Sequence, residues 1–224
     1  MLHNSKAPKI LNEIADALRE SALKAEKGNN EGRVNSKKDE DSIIAFLKGD
    51  PRFTDRIVEG ALRNFSDMNV IDYDGIEHVV NIKTSVGSSD NAFSKLGLLW
   101  ALTDLTIEDF RKLKIANKIS DKQFSNLVVK HKKDTPRDYW FLSLDKKDFR
   151  HVVVRGVKQI TNWGKNPTNN LQINWSLEHK SNPGIDKFDD VFYNVITNGA
   201  FKCWSDKAAQ WMDAIKYRND NLRN

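Results

Sequence analysis

Three polar side chains that could act together on a phosphate lie close to one another in the chain: Asp67, Asn81 and Lys83. Asp67 offers carboxylate oxygens to Mg²⁺, and the Asn81 side-chain oxygen and the Ile82 main-chain carbonyl add neutral oxygen ligands. Lys83 can orient or deprotonate a water, or hold a phosphate oxygen as negative charge builds up in the transition state. These residue types indicate metal-assisted chemistry on phosphate. The alternative is a surface hairpin whose polar face is simply solvated.

A β-hairpin would bring these side chains together. One arm is 68–71, the other is 76–83, and Tyr73-Asp74-Gly75 forms a three-residue loop with glycine in its left-handed position. Counting back along both arms from this loop places Asp67 opposite Asn81. Because strand side chains alternate, one face is predicted to carry Glu77, Val79, Asn81 and Lys83, and the other Val80 and Ile82.

The segment Ser66-Asp67, followed by Val-Val-Asn-Ile-Lys-Thr at 79–84, resembles the signature of PD-(D/E)xK nucleases, and most closely that of type II restriction endonucleases. In that family an Asp opens one strand and an acidic-x-Lys triplet lies on the next. The chain departs from the pattern at two positions. Ser66 stands where the family has Pro, and Asn81 replaces the second acid, which removes a formal charge from the metal site. Some members of the family carry a neutral amide there.

The resemblance implies an α/β fold, with a restriction-endonuclease-like mixed β-sheet flanked by helices. It implies a type II restriction endonuclease that hydrolyses double-stranded DNA at a short sequence with Mg²⁺, leaving a 5′-phosphate and a 3′-hydroxyl. Asp67, Asn81 and Ile82 would hold the metal, and Lys83 would position the water. Cutting both strands of a symmetric site needs two active sites, so a homodimer is expected. Two alternatives stay open: a repair-type nicking endonuclease of the same fold, and an inactive sequence-specific DNA-binding module.

A helix ahead of the first catalytic strand supplies a Glu to the metal site in many restriction endonucleases that this chain resembles. The helical pattern that begins at Asp39 therefore makes Glu40 the candidate, because an additional carboxylate would restore the charge that Asn81 lacks. The acids in this first turn also suit the positive end of a helix dipole, which would make Glu40 a capping residue instead. Glu59, on a short helix predicted over 54–64, is the reserve candidate.

Several segments are candidates for contact with DNA. Within the polar, flexible break 28–36, the Gly-Arg-Val-Asn segment at 32–35 resembles a DNA-facing loop of restriction endonucleases. The small-residue loop 84–91 either binds phosphate or merely connects two elements. In the Asn-rich turn within 161–175, the side-chain amides have the donor and acceptor pair that binds adenine in the major groove. The alternative is a plain turn held in place by two tryptophans. The predicted DNA-binding residues are Arg33, Asn35, Thr84, Ser85, Asn91, Lys95, Lys165, Asn166, Asn169, Asn170 and Gln172.

The remaining elements follow from periodicity, β-branched content and turn residues. Helices are predicted at 9–25, 92–102, 106–116, 188–196 and 206–217, the third of them opened by a capping box at Thr106. Strands are predicted at 138–144, 151–157 and 171–175. The basic turn 130–137 is either solvated surface or a DNA contact.

Composition narrows the class of protein. The 224 residues suit a single nuclease domain over 1–224, with 1–50 mainly helical and the catalytic hairpin at 66–84. A net charge of +5 and a sequence pI near 9.1 favour an anionic partner such as DNA. A single cysteine, Cys203, argues against a disulfide framework and a cysteine-based zinc site. The sequence has neither a signal peptide nor an apolar run of membrane length, so we expect a cytoplasmic protein that does not interact with membranes. We expect no small-molecule cofactor beyond Mg²⁺.

Overall fold

The computed structural model describes residues 3–25, 32–59, 66–85, 91–93, 95–113, 119–163, 171–182 and 187–195. In these ranges the helices are α1 (Lys9–Glu20), α2 (Gly32–Gly49), α3 (Lys95–Leu102), α4 (Ile107–Lys112), α5 (Asp121–His131), α6 (Trp175–Glu178) and α7 (Phe188–Asn194). The strands are β1 (Ile57–Glu59), β2 (Met68–Ile71), β3 (Glu77–Ser85), β4 (Asn91–Phe93), β5 (Tyr139–Asp145), β6 (Asp148–Gly156) and β7 (Leu171–Ile173). None of these helices is long and apolar enough to cross a membrane.

The main sheet is mixed and has five strands in the order β1-β2-β3-β5-β6. The pairs β1–β2, β2–β3 and β5–β6 are antiparallel. Strands β4 and β7 form a separate two-stranded sheet. The predicted α/β architecture, a mixed sheet flanked by helices, is therefore confirmed.

Helices α1 and α2 pack on one face of the main sheet. In α1 the residues Ile10, Ile14 and Leu18 recur at helical spacing and are buried, and α2 adds Ile43 and Leu47. Each fully buried aliphatic side chain of this size stabilises the fold by about 1.5–3 kcal/mol. The strand residues that meet the two helices in this core include Met68, Val70, Val80, Ile82, Leu142 and Val154.

Helix α6 also packs against the main sheet. It contacts residues of β5 and β6 that alternate with those in the hydrophobic core. Trp175 packs edge-on against Phe141, with ring centroids 5.3 Å apart. Arg155, buried on β6, donates to the carbonyl oxygens of Ser181 at 2.6 Å and Glu178 at 3.2 Å. The Glu178 Oε2 atom lies 3.5 Å from Arg155 Nε, so this buried guanidinium has a counter-charge.

Residue contacts group the chain into two compact units. The first consists of Met1–Asn91, Trp140–Gly156 and Trp175–Ser181, and it contains the five-stranded sheet. The second consists of Ala92–Tyr139, Val157–Asn174 and Asn182–Asn224.

Within the second unit, α3 and the segment before β5 are held together closely. A Cβ on Gly97 would lie 2.8 Å from the Tyr139 ring, so only glycine fits at this position of α3. The Arg137 guanidinium lies over the Trp100 ring at 4.1 Å and donates to the Trp100 and Thr103 carbonyls at 2.9 and 2.6 Å. Arg137 thereby satisfies carbonyls at the C-terminal end of α3.

The predicted capping box of α4 is confirmed. Asp109 N donates to Thr106 Oγ1 at 3.1 Å, and Thr106 N donates to Asp109 Oδ2 at 2.8 Å. The reciprocal bonds satisfy two backbone donors that a helix start leaves without intrahelical partners.

Helix α2 begins earlier in the chain than the sequence pattern predicts. The helix begins at Gly32, so residues 32–36, predicted as part of a flexible break, are helical, and Arg33 and Asn35 belong to its first turns rather than to a loop. Apolar periodicity does not reveal this start, because Asp39, the buried residue among the described side chains 35–40, is an acid.

The segment predicted as a helix over 54–64 is also different. Its described part consists of turns up to residue 56 followed by β1, and residues 60–65 lie outside the described ranges. Ile57 is buried and pairs with Val70, so sheet pairing outweighs the local helical pattern.

Other predicted elements differ only at their boundaries. Strands β5 and β6 and helix α7 lie where strands and a helix were predicted, and the predicted helix 206–217 lies outside the described residues. The shifted boundaries are the end of α1 at Glu20, the end of β3 at Ser85, strand β4 ahead of α3, the end of α4 at Lys112, and Trp175 as the first residue of α6.

Candidate active site

The β2–β3 hairpin has the predicted loop and register. Gly75 has a φ of 79°, and Asp72 N donates to the Ile76 carbonyl at 2.9 Å. Met68 pairs with Val80 further along, and Asp67 N donates to the Val80 carbonyl at 3.1 Å. This register places Asp67 beside Asn81 at the open end of the hairpin, as predicted.

The alternation along β3 separates the core from the polar residues. Val80 and Ile82 belong to the core beneath α1 and α2. Asn81 and Lys83 alternate with them and are half-buried. The two polar side chains are therefore presented away from the hydrophobic core, next to the start of β2.

Asp67 is held against β3 by its own side chain. Its Oδ2 atom accepts a hydrogen bond from the Ile82 N–H at 2.7 Å. Burial raises the pKa of Asp67, and the positive charge of Lys83 and the Ile82 N–H both act in the opposite direction. The carboxylate is thus fixed in position, with a low-dielectric surrounding that strengthens its interaction with any cation nearby.

Lys83 is the cation of the site. Burial lowers the pKa of Lys83, and the negative charges of Asp67 and Glu40 counteract this effect. Within the described part of the chain, no residue forms an ion pair or hydrogen bond with its ammonium group. The charges of both carboxylates therefore act on Lys83, although it is hydrogen-bonded to neither of them. Its ammonium N–H groups remain available to bind a ligand.

Glu40 on α2 joins the same group of charges. The pKa of Glu40 is raised to about 7, chiefly by burial and also by the Asp67 carboxylate, while Lys83 and Lys37 act in the opposite direction. A carboxylate responds to its neighbours in this way only when they are near, because the interaction between two charges weakens with distance. Glu40, Asp67 and Lys83 therefore lie within electrostatic reach of one another.

Glu59, the reserve candidate, lies on β1 opposite Met68 rather than on a helix. Its side chain is outside the described part of the structure. The described electrostatic coupling to Asp67 and Lys83 belongs to Glu40.

The side-chain oxygen of Asn81 has no partner among the described residues. Asn81 Oδ1 is buried, and none of these residues donates a hydrogen bond to it. Leaving such an acceptor unsatisfied costs about 1–3 kcal/mol. A buried oxygen beside an anionic cluster is well suited to a cation, so this atom fits the role of a neutral metal ligand.

Ile82 can contribute its carbonyl. In an antiparallel ladder the N–H and C=O of one residue face the same neighbouring strand. Because the Ile82 N–H reaches Asp67, its C=O lies on the Asp67 side as well. Across the described residues, no three His, Cys, Asp or Glu side chains form a metal-binding group. A cation here would thus have two carboxylates, the Asn81 amide and the Ile82 carbonyl as its protein ligands.

The predicted DNA-binding residues are dispersed. Thr84 is buried and donates to Asp39 Oδ2 at 3.4 Å, which places it in the contact between β3 and α2. Asn35 is half-buried, whereas the side chains of Arg33, Ser85 and Asn91 lie outside the described structure.

In the second unit, Lys95 is the first residue of α3, and its Nζ donates to the Ile119 carbonyl at 3.1 Å. Gln172 is half-buried on β7. The residues of the Asn-rich turn, Lys165, Asn166, Asn169 and Asn170, lie outside the described residues. Contact of all these residues with DNA stays a prediction.

Sequence reasoning missed the ion pair between Asp39 and Lys146. Asp39 is buried next to Glu40 in α2, and its Oδ2 lies 3.0 Å from Lys146 Nζ in the turn between β5 and β6. Neither residue belongs to a motif, and they are distant in the chain, so no local pattern indicates the pair.

The resemblance to PD-(D/E)xK nucleases that the sequence suggests rests on the order of Asp67, Asn81 and Lys83, together with Glu40 from the preceding helix. The likeness is confined to these few positions, with Asn81 as a departure. A scan against protein-family models finds no match, and a search of curated proteins finds no significant relative.

Proposed function

We propose that the protein is a Mg²⁺-dependent endonuclease that hydrolyses double-stranded DNA at a short sequence, in the manner of a type II restriction endonuclease. One observation carries this proposal. Two carboxylates, Glu40 and Asp67, and the amine of Lys83 are electrostatically coupled at the hairpin end where Asn81 Oδ1 is buried without a partner. This combination of groups suits phosphodiester hydrolysis better than it suits a solvated surface.

The donor set fits a hard divalent cation. Asp67 and Glu40 would supply charged oxygens, and Asn81 Oδ1 and the Ile82 carbonyl neutral ones, which are the ligands that Mg²⁺ prefers. When bound, Mg²⁺ would supply Lewis-acid polarisation of the phosphate and a lower pKa of a bound water. Glu40, with its pKa raised to about 7 by burial, would release its proton on taking a cation.

Lys83 is the residue assigned to the attacking water. Burial lowers the pKa of its ammonium, which brings the group closer to the range in which proton transfer is efficient at neutral pH. Because no described residue occupies its donors, the amine can orient a water or hold a phosphate oxygen. Asp67, fixed by the Ile82 N–H, keeps its carboxylate in place while charge builds up on the phosphate.

The choice of DNA as substrate is supported by charge. The chain has a net charge of +5, which favours a polyanion. A homodimer would supply two such sites for the two strands of a symmetric target. Cleavage by the family's chemistry would leave a 5′-phosphate and a 3′-hydroxyl.

Incubation of plasmid and phage DNA with the purified protein, with Mg²⁺ or with a chelator, tests the proposal. Discrete fragments that require Mg²⁺ and disappear in the Lys83→Ala variant are the expected result. Accumulation of nicked circles would favour the repair-type enzyme instead. Intact DNA with a retarded band in a gel would favour the inactive binding module. That alternative is considered because Asn81 removes a formal charge from the metal site.

A further inference from the structure

The residue before Glu40 makes a buried contact with another part of the same unit. Asp39 is 1% exposed, and its Oδ2 lies 3.0 Å from Nζ of Lys146, which is itself half-buried. The hydroxyl of Thr84 donates to the same oxygen at 3.4 Å. Lys146 Nζ also donates to Ser36 Oγ, one helical turn earlier, at 3.3 Å. Polar contacts of described residues therefore tie the first half of α2 to β3 and to the β5–β6 turn.

The second half of the helix is held differently. Ile43 and Leu47 follow Asp39 at intervals of four residues and are buried in the hydrophobic core. Asp39, Ile43 and Leu47 thus form one buried stripe, and its N-terminal member is an acid where an apolar residue would ordinarily stand. A hydrophobic side chain at 39 could bury the stripe equally well, but it would have no directional bond to β3 or to Lys146.

The stripe determines the rotation of α2 about its axis. Consecutive residues of an α-helix are about 100° apart, so the direction of Glu40 follows from that of Asp39. A rotation of about 20° at a Cα radius of about 2.3 Å would move the Glu40 backbone by about 0.8 Å. Displacements near 1 Å in a catalytic group cost about 10²-fold in rate.

We propose that the Asp39–Lys146 ion pair is a positioning device that fixes the N-terminal half of α2, so that Glu40 is held beside Asp67 and Lys83. Lys146 and Asp39 touch neither substrate nor metal in this arrangement and act through Glu40. The role of Glu40 as a metal ligand rests on the proposed function, whereas the fixing of α2 by the pair does not.

Two variants test the pair. Lys146→Met removes the lysine of the pair and keeps Asp39 buried, and the double variant Asp39→Asn/Lys146→Met removes both charges of the pair together, so that neither is buried without the other and the fold is preserved. Lys147→Met is the matched control, because Lys147 is the exposed neighbour in the same turn and undergoes the same change of charge.

Three measurements are made on each full-length variant: amide hydrogen exchange across 35–40, Mg²⁺ affinity by calorimetry without DNA, and DNA affinity in a chelator. In the double variant we expect exchange across 35–40 to be faster, Mg²⁺ affinity to fall by about 10-fold to 100-fold, and DNA affinity to be unchanged. Lys147→Met should match the wild type in exchange and in Mg²⁺ affinity.

A folded double variant that matches the wild type in exchange and in Mg²⁺ affinity would overturn the inference. If the double variant does not fold, the single variant Asp39→Asn decides, because it keeps the shape of the side chain and an acceptor for Thr84 and weakens the pair with Lys146. Its exchange across 35–40 must then exceed that of Lys147→Met. If the wild type binds no Mg²⁺, the proposed function fails, and hydrogen exchange alone still accepts or rejects the fixing of α2.

Discussion

Asp67 Oδ2 accepts a hydrogen bond from the Ile82 N–H at 2.7 Å, while Asp67 N donates to the Val80 carbonyl at 3.1 Å. One residue at the start of β2 is thus bonded to β3 by both its backbone and its side chain. The second bond prevents the carboxylate from rotating into solvent and holds it between Asn81 and Lys83. A pre-positioned anion of this kind requires little reorganisation when a cation binds.

Replacement of Lys83 by Ala should abolish cleavage while leaving DNA binding largely intact. The substitution removes the group that orients the water, and loss of such a group costs about 10²-fold to 10⁴-fold in rate. Cleavage rates and gel-shift affinities, measured side by side on the same DNA, check this. Lys147→Ala, an exposed lysine of the same unit, serves as the control. Full activity in Lys83→Ala would place the active site elsewhere in the chain.

Asn81→Asp should remain active and bind Mg²⁺ more tightly than the wild type. Asn81 Oδ1 is buried without a partner, and a carboxylate in the same place would keep the oxygen and add a charge for the cation. Asn81→Ala should do the opposite, because it removes the oxygen. Calorimetric titration with Mg²⁺ and a cleavage assay distinguish the two variants. Loss of activity in Asn81→Asp would mean that the amide N–H₂ group has its own role.

The hairpin could be predicted from the sequence because its determinants are local. Gly75 fixes the loop, and the alternation of Val80 and Ile82 with Asn81 and Lys83 fixes the faces, so the register follows by counting. The capping box of α4 also depends only on residues close in sequence, Thr106 and Asp109, and it is present as predicted.

Features that depend on distant contacts could not be predicted in this way. The first half of α2 lacks an apolar stripe in sequence, and its buried residue Asp39 contacts Lys146 of another hairpin, which is distant in the chain. Ile57 lies in a strand because β2 offers it a pairing partner, which its own neighbours in sequence do not indicate. The resemblance indicated that Glu40 joins Asp67 and Lys83, but the raised pKa of Glu40 depends on burial that no motif encodes.

Glu40→Gln should weaken Mg²⁺ binding by about 10-fold or more and slow cleavage, with little effect on stability. The change keeps the shape of the side chain and removes only the charge that would attract the cation. Asp41→Asn is the matched control, because Asp41 is the next residue of α2, is exposed and pairs with Lys37 at 2.8 Å. Equal Mg²⁺ affinities in the two variants would remove Glu40 from the metal site.

The stability of the fold should decrease as the pH falls from about 6.5 to about 4, in part because of His179. The pKa of His179 is lowered from 6.5 to about 4, chiefly by burial and also by the charges of His151 and Arg155, while Asp145 opposes the shift. Between about pH 4 and 6.5, His179 is protonated in the unfolded chain but neutral in the folded protein. The stabilisation from neutral His179 is therefore complete above pH 6.5 and is lost as the pH falls through 4. The whole difference corresponds to about 3 kcal/mol.

Urea unfolding of the wild type and of His179→Gln between pH 4 and 7 measures the contribution of this histidine. The His179 Nε2 atom lies 3.0 Å from Ser143 Oγ, and glutamine retains a polar group for that contact while it cannot titrate. The free energy of unfolding of the wild type should therefore fall more steeply with decreasing pH than that of the variant. Identical slopes would mean that His179 has the same proton affinity in the folded and unfolded chains, contrary to its burial against β5.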